Sequence, residues 1–329
     1  MNSAGAAPAA STPVGPVPTE LTRSPSLVPL LAKALVTAPL HGDWPLPRVP
    51  RPNRAAPPLD SRSLSLVQQR IPLEHLVAYQ HVCGFRASDV LPPTYLHLLS
   101  FPLSLQLMTA RDFPFSLLGL VHVANVNVQT RPVRADELVS ITTYAGNLRP
   151  HPAGQQLDIV SQASIDDDVV WRETSTYLSR GHGAETGAAE RGPAAGRDSA
   201  AGAVAPAEGE PAVAIEPRGQ WRVPADIGRR YATVSGDRNP IHLHPLTARL
   251  FGFSSAIAHG MWLEAKLLSH FEGRLPTSCT VAVNFKKPLL LPSTVGFGFG
   301  RAGDGWAVRI SDLRTGAPHL VGQISEGRG

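Results

Sequence analysis

Seven residues, Gly236-Asp237-Arg238-Asn239-Pro240-Ile241-His242, bring together a carboxylate and an imidazole, the two side-chain types suited to moving a proton near neutral pH. Gly236 can end a preceding helix with positive φ. Pro240 keeps that helix from resuming and holds Asn239 extended. Asp237 and His242 then lie on a rigid loop and can converge on one small volume, an arrangement worth roughly 10²–10⁴-fold in rate when positioned. Further on, Ile257-Ala258-His259-Gly260-Met261 opens an apolar helix. A helix start offers free backbone N–H groups and a positive dipole end, and Gly260 lets a ligand come close. A carbonyl gaining negative charge is stabilised there, each such donor being worth roughly 2.7–4 kcal/mol. The chemistry these residues suit is proton transfer beside a polarised carbonyl.

The elements around them come in two similar sets. The first reads as a helix at 73–82, an apolar helix at 94–109, and strands near 119–131, 137–147, 155–165 and 168–178. The second reads as helices at 225–234, 245–251 and 260–271, with strands near 279–287, 294–301, 305–313 and 319–325. Tyr79-Gln80-His81-Val82-Cys83-Gly84 aligns without gaps to Tyr231-Ala232-Thr233-Val234-Ser235-Gly236, and residues 132–139 align to 288–295. Shared order and spacing read as an internal duplication. Each copy is an α+β layer, a sheet wrapped on one long helix. Carried forward without a gap, the alignment sets Phe85 against Asp237, Ala87 against Asn239 and Val90 against His242, so chemistry is expected in the second copy only. The chain then divides into a largely disordered extension over 1–58 with a short helix at 26–38, a non-catalytic domain over 59–180, a disordered Gly/Ala/Glu/Pro linker over 181–214, and a catalytic domain over 215–329.

Composition excludes several classes. The two cysteines, Cys83 and Cys279, form neither a C-x-x-C pair nor a disulfide framework, which fits a reducing cytoplasm. The net charge of +4 is scattered, with no basic run to read as a nucleic-acid arm. The most apolar early stretch, 26–40, is broken by Pro29, Lys33 and Pro39 and is too short to span a membrane.

The string from Tyr231 to His242 followed by Ile257-Ala258-His259-Gly260-Met261 resembles the MaoC-like, or hydratase 2, hot-dog dehydratases, and Asn284-Phe285-Lys286-Lys287-Pro288 also looks like theirs. The close resemblance covers 221–325, and 60–180 looks like the degenerate first hot-dog of the two-domain members. It implies an α+β double hot-dog that reversibly dehydrates (R)-3-hydroxyacyl thioesters to trans-2-enoyl thioesters. It implies Asp237 and His242 as the acid/base pair, Asn239 and Gly260 as substrate-binding residues, and neither metal nor cofactor, the CoA or phosphopantetheine being part of the substrate. The partner is then an acyl-CoA or an acyl carrier protein, and the chain is a pseudo-dimer with further pairing into a homodimer left open. A hot-dog acyl-thioesterase and a non-catalytic acyl-thioester-binding subunit are the alternatives.

Plainer roles are assigned elsewhere: His244 to a loop, His259 to a structural hydrogen bond, Trp262 to the core, and Lys286 and Lys287 to solvent. Pro102 lies inside the apolar helix of the first copy, where a missing N–H and a steric clash predict a kink or break costing roughly 3 kcal/mol or more. A cavity for medium to long acyl tails along 98–107 is expected from it. Residues 1–24 and 183–208 are too poor in apolar surface to repay ordering. Shortening 183–208 is expected to leave turnover and melting temperature nearly unchanged, and so is removing 1–24; a thermal melt and a rate assay on the two truncations check this.

Overall fold

The computed structural model describes residues 16–36, 59–180 and 215–327. Strand β1 (Pro18–Leu21) and helix α1 (Leu27–Val36) come first. The first half then runs β2 (Ser63–Gln69), α2 (Leu73–Cys83), α3 (Leu96–Met108), β3 (Leu120–Gln129), β4 (Val139–His151), β5 (Gly154–Ile165) and β6 (Asp168–Arg180). The second half runs β7 (Gly219–Val223), α4 (Ile227–Ser235), α5 (Pro240–Leu243), α6 (Pro245–Leu250), α7 (Gly260–Leu268), β8 (Cys279–Phe285), β9 (Ser293–Ala302), β10 (Gly305–Asp312) and β11 (Pro318–Glu326).

Among the described residues all strands belong to one sheet of 11, ordered β1-β2-β4-β5-β6-β3-β8-β11-β10-β9-β7. Read outward from its centre, β3-β6-β5-β4-β2 mirrors β8-β11-β10-β9-β7, so the duplication is a pseudo-twofold. The two copies join where β3 pairs antiparallel with β8, from Ala124 opposite Asn284 to Gln129 opposite Cys279. The matched glycines end matched helices: Gly84 caps α2 at φ 86° and Gly236 caps α4 at φ 72°. The aligned tyrosines meet across the pseudo-axis, with the rings of Tyr79 and Tyr231 6.4 Å apart. One contiguous core runs through both halves, from Leu64, Tyr79 and Trp171 to Met261, Leu267 and Ile324.

Three expectations need correction. Of the stretch 1–24 read as disordered, residues 16–24 are described, and β1 pairs in parallel with β2, Pro18 opposite Ser63; a sheet edge can order a segment too polar to order itself. Residues 1–15 and the linker 181–214 lie outside the described residues. Second, α3 continues through Pro102 as one helix. Nearly all its residues are buried, and Ser100 and Ser104 return their hydroxyls to the carbonyls of His97 and Ser100, so packing outweighs the local cost. The hollow beside its C-terminal end, lined by Leu107, Phe113 and Ala145, holds about 20 Å³, room for about one water and not for an acyl tail. Third, Leu91 N–H donates to Val133 C=O and Val90 bridges Arg134, just as Ala258 N–H donates to Leu289 C=O and Ile257 bridges Leu290. Val90 is therefore the counterpart of Ile257, not of His242. Residues 237–256, with α5 and α6, fill a gap that 85–89 cross in the first half, so the loop is an insertion, not a substituted copy.

Among the described residues, no helix is long and apolar enough to cross a membrane. Glu264, on α7, is fully buried with neither carboxylate oxygen hydrogen-bonded. Burial, and Glu173 nearby, push its pKa well above the ordinary carboxylate range. An acid whose pKa is raised on folding stabilises fully below its unfolded value of 4.5 and loses that contribution as pH rises. Stability should therefore fall as pH rises above 4.5, and Glu264→Gln should flatten that slope and raise stability at neutral pH, as read from urea midpoints across the range.

Candidate active site

The site is built at the end of α4. Gly236 in its left-handed conformation turns the chain out of the helix. The Asp237 carboxylate accepts the Asn239 N–H at 3.1 Å, tightening the turn. Asn239 caps α5, its Oδ1 accepting from the Ile241 N–H at 3.4 Å, and Pro240 takes the first helical position. That single helical turn carries His242 back toward Asp237. His242 Nδ1 lies 2.8 Å from the Ile257 carbonyl, which can only accept, so Nδ1 carries the proton and Nε2 keeps its lone pair.

His259 takes a larger part than its sequence reading gave it. It precedes Gly260 at the cap of α7, and its Nε2 donates to the Asp237 backbone carbonyl at 3.0 Å, with a carboxylate oxygen of Asp237 at 3.7 Å. Its ring lies on that of His242, centroids 3.7 Å apart and planes 25° from parallel. Tyr231 flanks it at 4.9 Å. One ligand-type atom from each of Asp237, His242 and His259 falls within 4.8 Å of the others. The only sequence signal for His259 was its place beside Gly260.

Electrostatics sets the resting state. Burial lowers the pKa of His242 and, with His242 adjacent, drives that of His259 down to about 3. Burial works against the Asp237 carboxylate, but His259, His242 and the Asn239 N–H outweigh it and hold its pKa below the ordinary value. At neutral pH the site holds one carboxylate and two uncharged imidazoles. Gly260 sits at the first turn of α7, its N–H free of helical bonding. A Cβ there would meet the Phe285 ring at 3.2 Å, so glycine lets Phe285 pack closely on the start of α7.

The first half is not apolar throughout. His97 on α3 and Glu173 on β6 form a buried pair at 2.8 Å, and Asn125 on β3 donates to Glu173 at 2.9 Å. Burial opposes the charge on His97, yet Glu173 outweighs it and raises its pKa, and Asp237 pulls the same way. His122 is stacked on Tyr177 with Phe285 tilted across it; its Nε2 is buried and unpartnered, and desolvation lowers its pKa to about 4. His244 lies apart from the site and caps α6, accepting from the Leu246 N–H at 3.1 Å.

A metal suits these donors poorly. Lone pairs in the planes of two stacked rings point side by side instead of converging, and the His259 Nε2 proton is committed to a carbonyl. Prolonged dialysis against a chelator should leave activity intact; loss restored by zinc alone would reverse this assignment.

A family model, the MaoC like domain, matches residues 206–315. The chain is 35% identical over 280 residues, 85% of its own length and 93% of the other's, to 3-hydroxyacyl-thioester dehydratase X of Mycobacterium tuberculosis. The crystal structure of HtdX from that organism superposes with a TM-score of 0.68 at 32% identity, covering 81% of this chain and all of that one. A MaoC-like dehydratase from Phytophthora capsici, at TM-score 0.64 and 16% identity over 82% of this chain and 96% of that one, shares the fold. Fold, loop and relatives agree: the chain belongs to the MaoC-like dehydratases of double hot-dog architecture.

Proposed function

We propose that this chain catalyses the reversible dehydration of (R)-3-hydroxyacyl thioesters to trans-2-enoyl thioesters, at a single site formed by Asp237 and His242. The observation that carries the reading is the His242 tautomer: Ile257 fixes the proton on Nδ1 and leaves Nε2 basic beside an ionised carboxylate. The thioester carbonyl lies at the N-terminus of α7, where the Gly260 N–H accepts part of the charge that develops on oxygen. That polarisation acidifies the C2 proton, and His242 Nε2 takes it. The imidazolium so formed is stabilised by Asp237. The C3–O bond then breaks, and the same proton passes by way of Asp237 to the departing hydroxyl, which leaves as water. No second proton donor is needed, which suits a site that rests with its carboxylate ionised and its imidazoles neutral. Asn239 holds the loop in register and lines the site.

The relative's name carries the substrate class, a 3-hydroxyacyl thioester; the carrier here is CoA or an acyl carrier protein. Both cysteines are free and buried, which fits work in a reducing cytoplasm. The thioesterase reading gains nothing from the geometry, since a neutral Nε2 beside a carboxylate serves proton transfer at carbon as well as water activation.

Hydration of crotonyl-CoA, followed by loss of enoyl absorbance, tests the proposal. Asp237→Asn and His242→Ala should each lower kcat by roughly 10²–10⁴-fold with unchanged circular dichroism, and the double variant should cost little more than one single. Release of free thiol in place of hydration would replace this reading with the hydrolytic one. Because His242 must be neutral and its pKa lies below the ordinary histidine value, the acid limb of the kcat/KM profile should fall below about pH 6.5.

A further inference from the structure

The surface beside the catalytic pair carries charge of one sign. From Ile227 to Phe271 the chain has two carboxylates, Asp237 in the site and Glu264 buried on α7, so none but Asp237 reaches solvent along this stretch. Arg229, Arg238 and Arg249 are all exposed on it. Arg229 and Arg249 bond only to backbone carbonyls, of Leu243 at 3.2 Å and of Ser254 at 3.4 Å, so their charge is left for solvent. Across the pseudo-twofold the shorter crossing answers Arg134 with Asp89. Helix α6 turns an apolar pair outward among these cations. Ala248 is buried and Thr247 Oγ1 donates to the Pro240 carbonyl at 2.7 Å, which sets the inner side of the helix. Leu246, Arg249 and Leu250, three and four residues apart, share the outer side. The two leucines are 62% and 58% exposed. Arg229 reaches the last residue of α5, where α6 is about to begin. Asp237 keeps 28% of its side chain exposed and His242 is half-buried, so the reacting groups meet solvent beside this segment. A small anion would use the arginines and leave the leucines bare. A helix that sets carboxylates beside apolar side chains would use both.

We infer that the outer side of α6, with Arg229, is the docking surface for an acidic carrier protein, which presents the acyl thioester to Asp237 and His242 on its phosphopantetheine arm. The carrier's carboxylates meet Arg229 and Arg249, and its apolar side chains cover Leu246 and Leu250. Arg238 adds positive charge one residue from the catalytic carboxylate. This rests on the dehydratase reading above and decides its carrier. The inserted segment then does two jobs: its inner side holds the imidazole, and its outer side selects what delivers the substrate.

The test measures kcat/KM for one crotonyl group on three carriers, a purified acyl carrier protein, CoA and pantetheine, with the full chain and three variants. Arg249→Glu and Leu250→Asp should each lower kcat/KM for the carrier-protein substrate about tenfold or more, mainly through KM, and leave the other two within about twofold. Leu148→Asp, at a position 46% exposed on β4 of the other half, should leave all three unchanged. Loss on CoA as well, with pantetheine spared, would mean that the surface binds the phosphates of CoA, and the inference falls. Equal loss on all three carriers, or loss on none, overturns it too. A parent enzyme that hydrates none of the three refutes the dehydratase reading itself; one that hydrates crotonyl-CoA and not the carrier-bound group refutes only the docking surface.

Discussion

The pairing of β3 with β8 is the constraint on which the other features rest. Each copy ends its sheet in an edge strand, and an open edge is a row of unsatisfied backbone groups. Antiparallel pairing from Ala124–Asn284 to Gln129–Cys279 satisfies both edges at once and sets the copies about a pseudo-twofold axis. That symmetry brings α2 against α4 and Tyr79 against Tyr231. It also turns the end of α4, and the loop beyond Gly236, toward α3 of the other half. The loop thus faces the first half, and the His97–Glu173 pair lies within electrostatic reach of Asp237.

Much of this was legible in the sequence because the deciding signals were local. Eight strands and most helices follow from apolar periodicity or apolar runs, and the two glycine caps mark equivalent turns. Asp237 and His242 stood out because a glycine, a proline and two proton-handling residues occupy one short loop. What escaped depended on distant partners. β1, β2 and β7 pair with strands far along the chain, so their own composition says little. The gapless alignment past Gly84 failed because sequence alone does not show where an insertion starts; the bridges at Val90 and Ile257 do. Pro102 misled because helix propensity is a local cost, and burial on every side of α3 overrode it. His259 does make the structural hydrogen bond read for it, but its stacking on His242 escaped, because that is set by backbone paths that meet only in the fold.

Burial sets the charge of the two imidazoles, and partners set that of the carboxylate. Two stacked imidazoles cannot readily both become imidazolium at 3.7 Å, and their shared desolvation keeps both neutral while Asp237 stays ionised. The site therefore starts with basic capacity and no mobile proton of its own. This is the state in which a proton drawn from carbon can be returned to oxygen without exchange of charge with solvent.

The inserted segment is closed at its neck. The Ile257 N–H donates to the Ile241 carbonyl at 3.0 Å, and the Ile257 carbonyl accepts from His242 Nδ1 at 2.8 Å. One residue thus clasps both ends of the loop that holds α6, and the imidazole is fixed by the clasp, not by what the loop contains. Lengthening such a closed loop costs little, about 0.6 kcal/mol for each doubling. Leu246 and Leu250 in that loop are exposed, so its surface can change in length or character while the imidazole keeps its position.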